Sequence, residues 1–243
     1  MLRDSSDWVS RIEKGARVVV VRNTSVPRGE VLQTTVPADL ALVRSYFQQQ
    51  NRALRELRNP HLEDPVSTSV KEDARESAVL IPLIADEHPR VLVTKRQVHI
   101  RFAGHLCFPG GTSDPGDISM IDTALRESSE EIKIDPADIE VLGCLGNYYT
   151  QAGYRITPVV GVIQHPTKVE ANLDEVESIH EISLARMFDS TSYKLTRHGG
   201  NRGHFSYTED GIRITGPTVS IMIGLLESLA SFHAIEGWRD RQD

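Results

Sequence analysis

The stretch Phe108–Ile134, FPGGTSDPGDISMIDTALRESSEEIKI, decides how the rest of the chain is read. A Pro-Gly-Gly loop leads into an acidic, turn-rich segment and then into a helix predicted over Ile121–Lys133, which Asp135-Pro136 stops. On that helix Glu127, Glu130 and Glu131 stand at i, i+3 and i+4 and so share one face. Three carboxylates this close repel one another unless something neutralises them, and a hard divalent cation held by oxygen ligands is the simplest neutraliser. Arg126, immediately before them, is placed to pair with a neighbouring acid. A bare glutamate cluster reads first as a solvated helix face, with acids favoured towards the positive end of the helix dipole. The glycine loop directly ahead of this one favours a site.

The order Gly111, a loop, then Arg126-Glu127-Ser128-Ser129-Glu130-Glu131-Ile132-Lys133-Ile134 resembles the Nudix box. Four positions depart from the general pattern. The loop from Gly111 to Arg126 is one residue longer, Asp117 stands at the loop glutamate, Ser128 replaces an apolar residue, and Lys133 replaces the terminal glycine. The first two departures match the coenzyme A diphosphatase branch, whose longer loop carries Asp-Pro-x-Asp, here Asp114-Pro115-Gly116-Asp117. Upstream, Arg96, Ile100-Arg101, Gly104 and Phe108-Pro109-Gly110-Gly111 resemble a second signature of that branch, in which His105 is the nearest counterpart of a signature histidine. Downstream, Thr150–Gly161 (TQAGYRITPVVG) and the Asn172, Glu175-Val176 group are similar to further family segments. The resemblance spans roughly Ser77 to Leu229.

This resemblance implies an α/β/α sandwich with a mixed sheet. It implies metal-dependent hydrolysis of the diphosphate linkage of coenzyme A or an acyl-coenzyme A to 3',5'-ADP and (acyl-)4'-phosphopantetheine. Mg2+ or Mn2+ would be held by Glu127, Glu130, Glu131 and the Gly111 carbonyl. Arg126, Glu127 and Glu130 would serve the catalysis, with Glu175 as a further acid and Glu177 as its alternative. Arg96, Arg101, His105 and Tyr154 would meet the substrate, since arginine grips phosphate oxygens in pairs. Two other readings stand beside it: hydrolysis of another nucleoside diphosphate derivative (ADP-ribose, NADH or a capped RNA end), or a non-catalytic nucleotide-binding domain.

The remaining sequence sets bounds. At 243 residues, with 39% hydrophobic and 25% charged residues, the chain accommodates one domain with a sizeable core plus an extension. A net charge of -7 argues against general nucleic-acid binding. Two cysteines, Cys107 and Cys144, suit a reducing compartment better than a disulfide framework. No apolar run approaches the ~20 residues of a membrane helix, and the N-terminus reads poorly as a signal peptide, so the cytoplasm is expected. No zinc spacing, Gly-x-Ser-x-Gly elbow or Walker loop is present.

Residues 1–70 are expected to form an N-terminal extension, with a strand at Ala16–Arg22, a helix over Leu40–Arg58 and a polar surface connector from His61 to Glu76. That extension would pack on the main domain or act as an arm in a homodimer. Residues 71–243 are expected to form the Nudix-like domain. Its strands are predicted at Ser77–Ala85, Val91–Lys95, Ile139–Leu145 and Arg155–Val162, with a short helix at Leu184–Met187, a hairpin over Tyr193–Tyr207 and a final amphipathic helix over Thr218–Ile235. Strands interleaved with a few helices make an α+β fold.

Overall fold

The computed structural model describes residues 26–50, 54–164 and 167–239, so the strand predicted at Ala16–Arg22 lies outside the described residues. The apolar run SAVLIPLIA falls inside β1, Arg75–Ala85. This strand pairs in parallel along its whole length with β7, Tyr154–Gln164. Both are buried on both faces, as continuous β-branched runs require. Their side chains alternate between two cores. Ala78, Leu80 and Ile84 of β1 and Val159 and Ile163 of β7 face one, while Ile81, Leu83, Val160 and Val162 face the other.

Around this pair the sheet is antiparallel. β2 (Arg90–Arg96) and the short β4 (Gly110–Thr112) join β1, and β3 (Leu106–Cys107) extends β2. β5 (Ile139–Cys144) and β6 (Tyr148–Tyr149) join β7. β8, Val176–Ser183, lies along the whole of β2. It runs straight into the short helix α4, Leu184–Met187. A second sheet of β9 (Tyr193–Arg197), β10 (Gly203–Glu209) and β11 (Ile212–Ile214) contains the predicted hairpin.

Helices cover both faces. The box helix α3, Met120–Ile132, packs on one through Ala124 and Ile132. The last helix α5, Gly216–Arg239, covers the other with Val219, Met222, Leu225, Leu226 and Leu229. Alongside it lies α1, Leu40–Gln48, whose Val43 and Phe47 enter the same core. A one-turn helix α2, Thr68–Glu72, precedes β1. The result is the expected mixed α+β sandwich with helical cover at its N-terminal side.

Two expectations for the N-terminal region need correction. The helix predicted over Leu40–Arg58 ends at Gln48, with Gln49 closing the last turn. Beyond it the backbone makes tertiary bonds instead: the Leu57 N–H donates to the Asn147 carbonyl at 2.9 Å, and the Arg58 guanidinium pairs with Glu227 of α5. The connector predicted from His61 is not all surface, since His61 is buried. Its Nδ1 accepts the Phe205 N–H at 3.0 Å and its Nε2 lies 3.0 Å from the Ser220 hydroxyl. The strand β8 was not anticipated.

Candidate active site

The box helix is fixed at both ends by local chemistry. At its start Ser119 accepts the Asp122 N–H at 3.2 Å and its hydroxyl donates back to the Asp122 carboxylate at 3.0 Å. At its end Lys133 takes the left-handed conformation, φ 55°, which explains why the box pattern calls for glycine there. The helix keeps its cap, at a cost of about 1 kcal/mol for a residue with a Cβ. The carbonyls of Glu131 and Ile132, left over by the last turn, accept the N–H groups of Asn172 and Glu170 at 2.9 Å. That pins the segment leading to Glu175 against the glutamates. Ser128 is fully buried but satisfied, because its hydroxyl donates to the Ala124 carbonyl at 2.7 Å.

Arg126 is the hub. Its Nε and Nη2 donate to the two oxygens of Asp117 at 2.9 and 3.0 Å, a bidentate pair. Its Nη1 reaches Glu127 at 2.9 Å and Glu130 at 3.1 Å, and Nη2 also donates to the Thr112 carbonyl at 3.1 Å. The guanidinium beside it holds the Asp117 carboxyl well below the usual carboxylate range. So the residue standing at the loop-acid position anchors the arginine, and the arginine in turn orients two of the three helix glutamates.

The third, Glu131, is turned the other way. Only 2% exposed, it accepts the Gly110 N–H at 3.2 Å and lies 3.5 Å from the Arg96 guanidinium. Burial pushes its pKa up to about 7, and the charges of Glu127 and Glu175 push in the same direction. Glu127 is also raised, first by burial and further by Glu130 and Glu175, with Arg126 opposing. The two glycines ahead of the helix have separate tasks. A Cβ on Gly110, whose φ is 153°, would lie 2.3 Å from the Ala78 carbonyl oxygen of β1. A Cβ on Gly111 would lie 2.5 Å from the Glu127 carboxylate, which occupies that space.

Among the described residues, no three His, Cys, Asp or Glu side chains converge on a point that holds a metal ion. The reason is visible: Arg126 draws Glu127 and Glu130 to itself, while Glu131 faces Gly110 and Arg96. In kind, the donors fit a hard divalent cation. All are oxygens, and two of the three carboxylates are raised by burial and by their neighbours' charge, so a cation would relieve what the arginines relieve in part.

The other predicted residues lie at the end of β2 and on the loop after it, around the start of β8, and at the start of β7. Glu175 is close enough for its charge to raise both Glu127 and Glu131. Glu177 points elsewhere, paired with Lys95 at 2.6 Å. Arg96 lies between Glu131 and the Arg101 carbonyl, to which its Nε donates at 3.0 Å. Arg101 donates to the Tyr154 hydroxyl at 2.9 Å and stacks over Phe102 at 4.9 Å. His105 is exposed, with its ring 6.3 Å from that of Phe102. Sequence reasoning did not name the Thr112 carbonyl, which acts through the backbone and leaves no pattern of residue types to find.

The chain matches the NUDIX domain family model over residues 74–206. It is 36% identical over 165 residues to an uncharacterized Nudix hydrolase NudL of Yersinia enterocolitica, covering 67% of this chain and 85% of that one. It is 41% identical over 133 residues to an uncharacterized Nudix hydrolase NudL of Pectobacterium atrosepticum, covering 54% of this chain and 69% of that one. Among solved structures, a MutT/nudix family protein from Enterococcus faecalis aligns with a TM-score of 0.42 at 17% identity, over 81% of this chain and 80% of that one. With the box geometry assembled around Arg126, the chain belongs to the Nudix family and is a hydrolase acting on diphosphate bonds.

Proposed function

We propose that the substrate is a nucleoside diphosphate derivative and, within that class, coenzyme A or an acyl-coenzyme A, cleaved to 3',5'-ADP and (acyl-)4'-phosphopantetheine. The observation that carries this reading is the 3.5 Å approach of Arg96 to Glu131. It sets the segment resembling the coenzyme A signature directly against the box carboxylates. Arg96 and Arg101 then supply guanidinium groups for a substrate bearing a diphosphate and a further phosphate. Tyr154, which accepts from Arg101 at 2.9 Å, holds that second arginine in place.

Glu127, Glu130, Glu131 and the Gly111 carbonyl would hold Mg2+ or Mn2+. The ion supplies the counter-charge that lets an anionic diphosphate accept a nucleophile. The rest falls to the chain's own groups. Arg126 fixes Glu127 and Glu130 in their rotamers, and Gly111 leaves room for the Glu127 carboxylate. Glu175, or Glu127 itself, takes the proton of the attacking water. The half-buried setting of Glu127 and its raised pKa suit it to that exchange.

The test is hydrolysis of coenzyme A, ADP-ribose, NADH and capped RNA by the purified protein, with and without Mg2+, read by product mass. Release of 3',5'-ADP and phosphopantetheine is expected. Cleavage of ADP-ribose with coenzyme A left intact would overturn the coenzyme reading. Glu131→Gln should lower turnover by orders of magnitude while its circular dichroism stays native.

A further inference from the structure

A cavity of about 400 Å3 lies where the N-terminal segment meets the domain. Its walls come from residues of that segment between 26 and 71, from Tyr148 and Tyr149 of β6, and from Glu227 of α5. Tyr148 belongs to the core under α5, whereas the box helix packs on the other face of the sheet. The cavity therefore shares no residue with the glutamate cluster and is separate from it. Its volume falls within the roughly 300–1,000 Å3 usual for small-molecule sites.

The charges around it do not balance. Three cations, Arg28, Arg58 and Lys71, face two carboxylates, Glu56 and Glu227, and both carboxylates are already taken. The Lys71 Nζ donates to the two oxygens of Glu56 at 2.5 and 2.7 Å and lies 4.9 Å over the Tyr149 ring. The Arg58 Nε donates to Glu227 at 2.8 Å, while its Nη2 donates to Glu227 and, at 2.9 Å, to the Glu30 carbonyl. Its Nη1 is buried with no acceptor, which is costly for a charged donor. Arg28 has no carboxylate partner among the described residues, and its Nη1 donates to the Glu63 carbonyl at 2.9 Å. The Gly29 N–H bonds to the Pro60 carbonyl at 2.8 Å, which holds together the two stretches that carry these arginines.

We infer that this cavity is a second binding site, one that takes the phosphate group of a small phosphate monoester. Guanidinium N–H groups without acceptors are met by an oxyanion, and phosphate offers several oxygens in the geometry that arginine grips in pairs. A neutral ligand would leave the surplus positive charge in place, and a cation would add to it. Leu57, Val66 and the Tyr149 ring give the organic part of the ester an apolar wall. Leu57 is also bonded to Asn147 just before β6, and Arg58 to α5, so an ester held by Arg28 and Arg58 fastens the N-terminal segment to the domain. Occupancy should therefore stabilise the whole fold.

The test is calorimetric titration and thermal unfolding of the full chain with AMP and glucose 6-phosphate, a chelator being present throughout. Adenosine, glucose and inorganic phosphate serve as controls. At least one ester should bind and raise the unfolding midpoint by about 5 °C at a hundredfold excess over its Kd. Adenosine and glucose should do neither, and inorganic phosphate should bind about tenfold more weakly than the ester. Arg28→Gln, at an exposed residue, should weaken the ester about tenfold, the loss of one charge-assisted hydrogen bond. Val66→Phe, which fills the cavity and leaves its charges alone, should weaken it as well. Arg96→Gln, beside the box glutamates, should leave the ester's affinity unchanged. An ester that R28Q and V66F bind as tightly as the wild type, or that R96Q no longer binds, sits at the box and overturns the inference. So does a wild type that binds neither ester at millimolar concentration, or binds adenosine or glucose as tightly as its ester. Inorganic phosphate bound as tightly as the ester would give the cavity to the free ion and overturn the monoester assignment.

Discussion

Glu131 is nearly sealed from water, yet the reading above needs it as an anion. Its neighbours only partly resolve this: Gly110 and Arg96 stabilise the charge, while burial, Glu127 and Glu175 oppose it, and its pKa rises to about 7. In the unfolded chain a glutamate titrates near the ordinary value of ~4.3. Between these two values the folded state binds the extra proton, so stability falls as pH rises through that window and stays low above it. The full loss is about 4 kcal/mol, taking 1.4 kcal/mol per pH unit. Urea unfolding in the presence of a chelator should therefore show the wild type losing stability from pH 4.5 to 8. Glu131→Gln, which keeps the shape and an acceptor for Gly110, should lack this component and be the more stable of the two at pH 8. If the two proteins track each other across the range, Glu131 is not strained by its burial.

At the scale of elements, β4 and the end of α3 offer sharper contrasts. Gly110 and Gly111 are adjacent, but a methyl group on each meets a different obstacle. Gly110→Ala drives its Cβ into backbone of β1 and demands a disfavoured φ, so a stability loss of about 3 kcal/mol or more is expected. Gly111→Ala meets only the tip of a flexible side chain. It should cost about 1 kcal/mol or less in stability, yet reduce turnover about a hundredfold by displacing Glu127. Unfolding midpoints and kcat measured on both variants check the pair. Lys133→Gly should raise stability by up to about 1 kcal/mol with kcat unchanged, because the left-handed cap is free for glycine. Legibility in the sequence followed the same division. Helix α3 and its glutamates were readable because their causes lie within four residues of one another. The strand β8 was missed because Glu177, His180 and Glu181 give it a polar look, and a ladder with β2, some 80 residues earlier, is what makes it a strand. The predicted α1 ran too long because Leu54 and Leu57 keep the helical period, while the competing partner of Leu57, the Asn147 carbonyl, lies 90 residues away. The contact of Arg96 with Glu131 likewise exists only once β2 and α3 are brought together.

Across the whole molecule, the segment before residue 67 is tied into the same core as the Nudix sheet. Val31, Val36, Leu40, Val43 and Phe47 are buried in one cluster with Tyr207, Leu225 and Leu226. At roughly 2 kcal/mol per buried side chain these five contribute on the order of 10 kcal/mol. That matches the entire net stability of an ordinary domain, about 5–15 kcal/mol. Removing the segment also strips Glu227, 6% exposed, of the Arg58 guanidinium, and strips β10 and α5 of the buried His61 that bonds to both. Losing one partner of a buried charge pair adds about 3 kcal/mol or more to the cost. Residues 67–243 alone, although they contain every box residue, should therefore lack a cooperative urea transition and hydrolyse no substrate that the full chain hydrolyses. His61→Ala in the full chain should reproduce a smaller part of the loss, about 2 kcal/mol, through its two severed hydrogen bonds. A truncated protein that unfolds cooperatively near the full-length midpoint would mean instead that the segment is an arm resting on a complete domain.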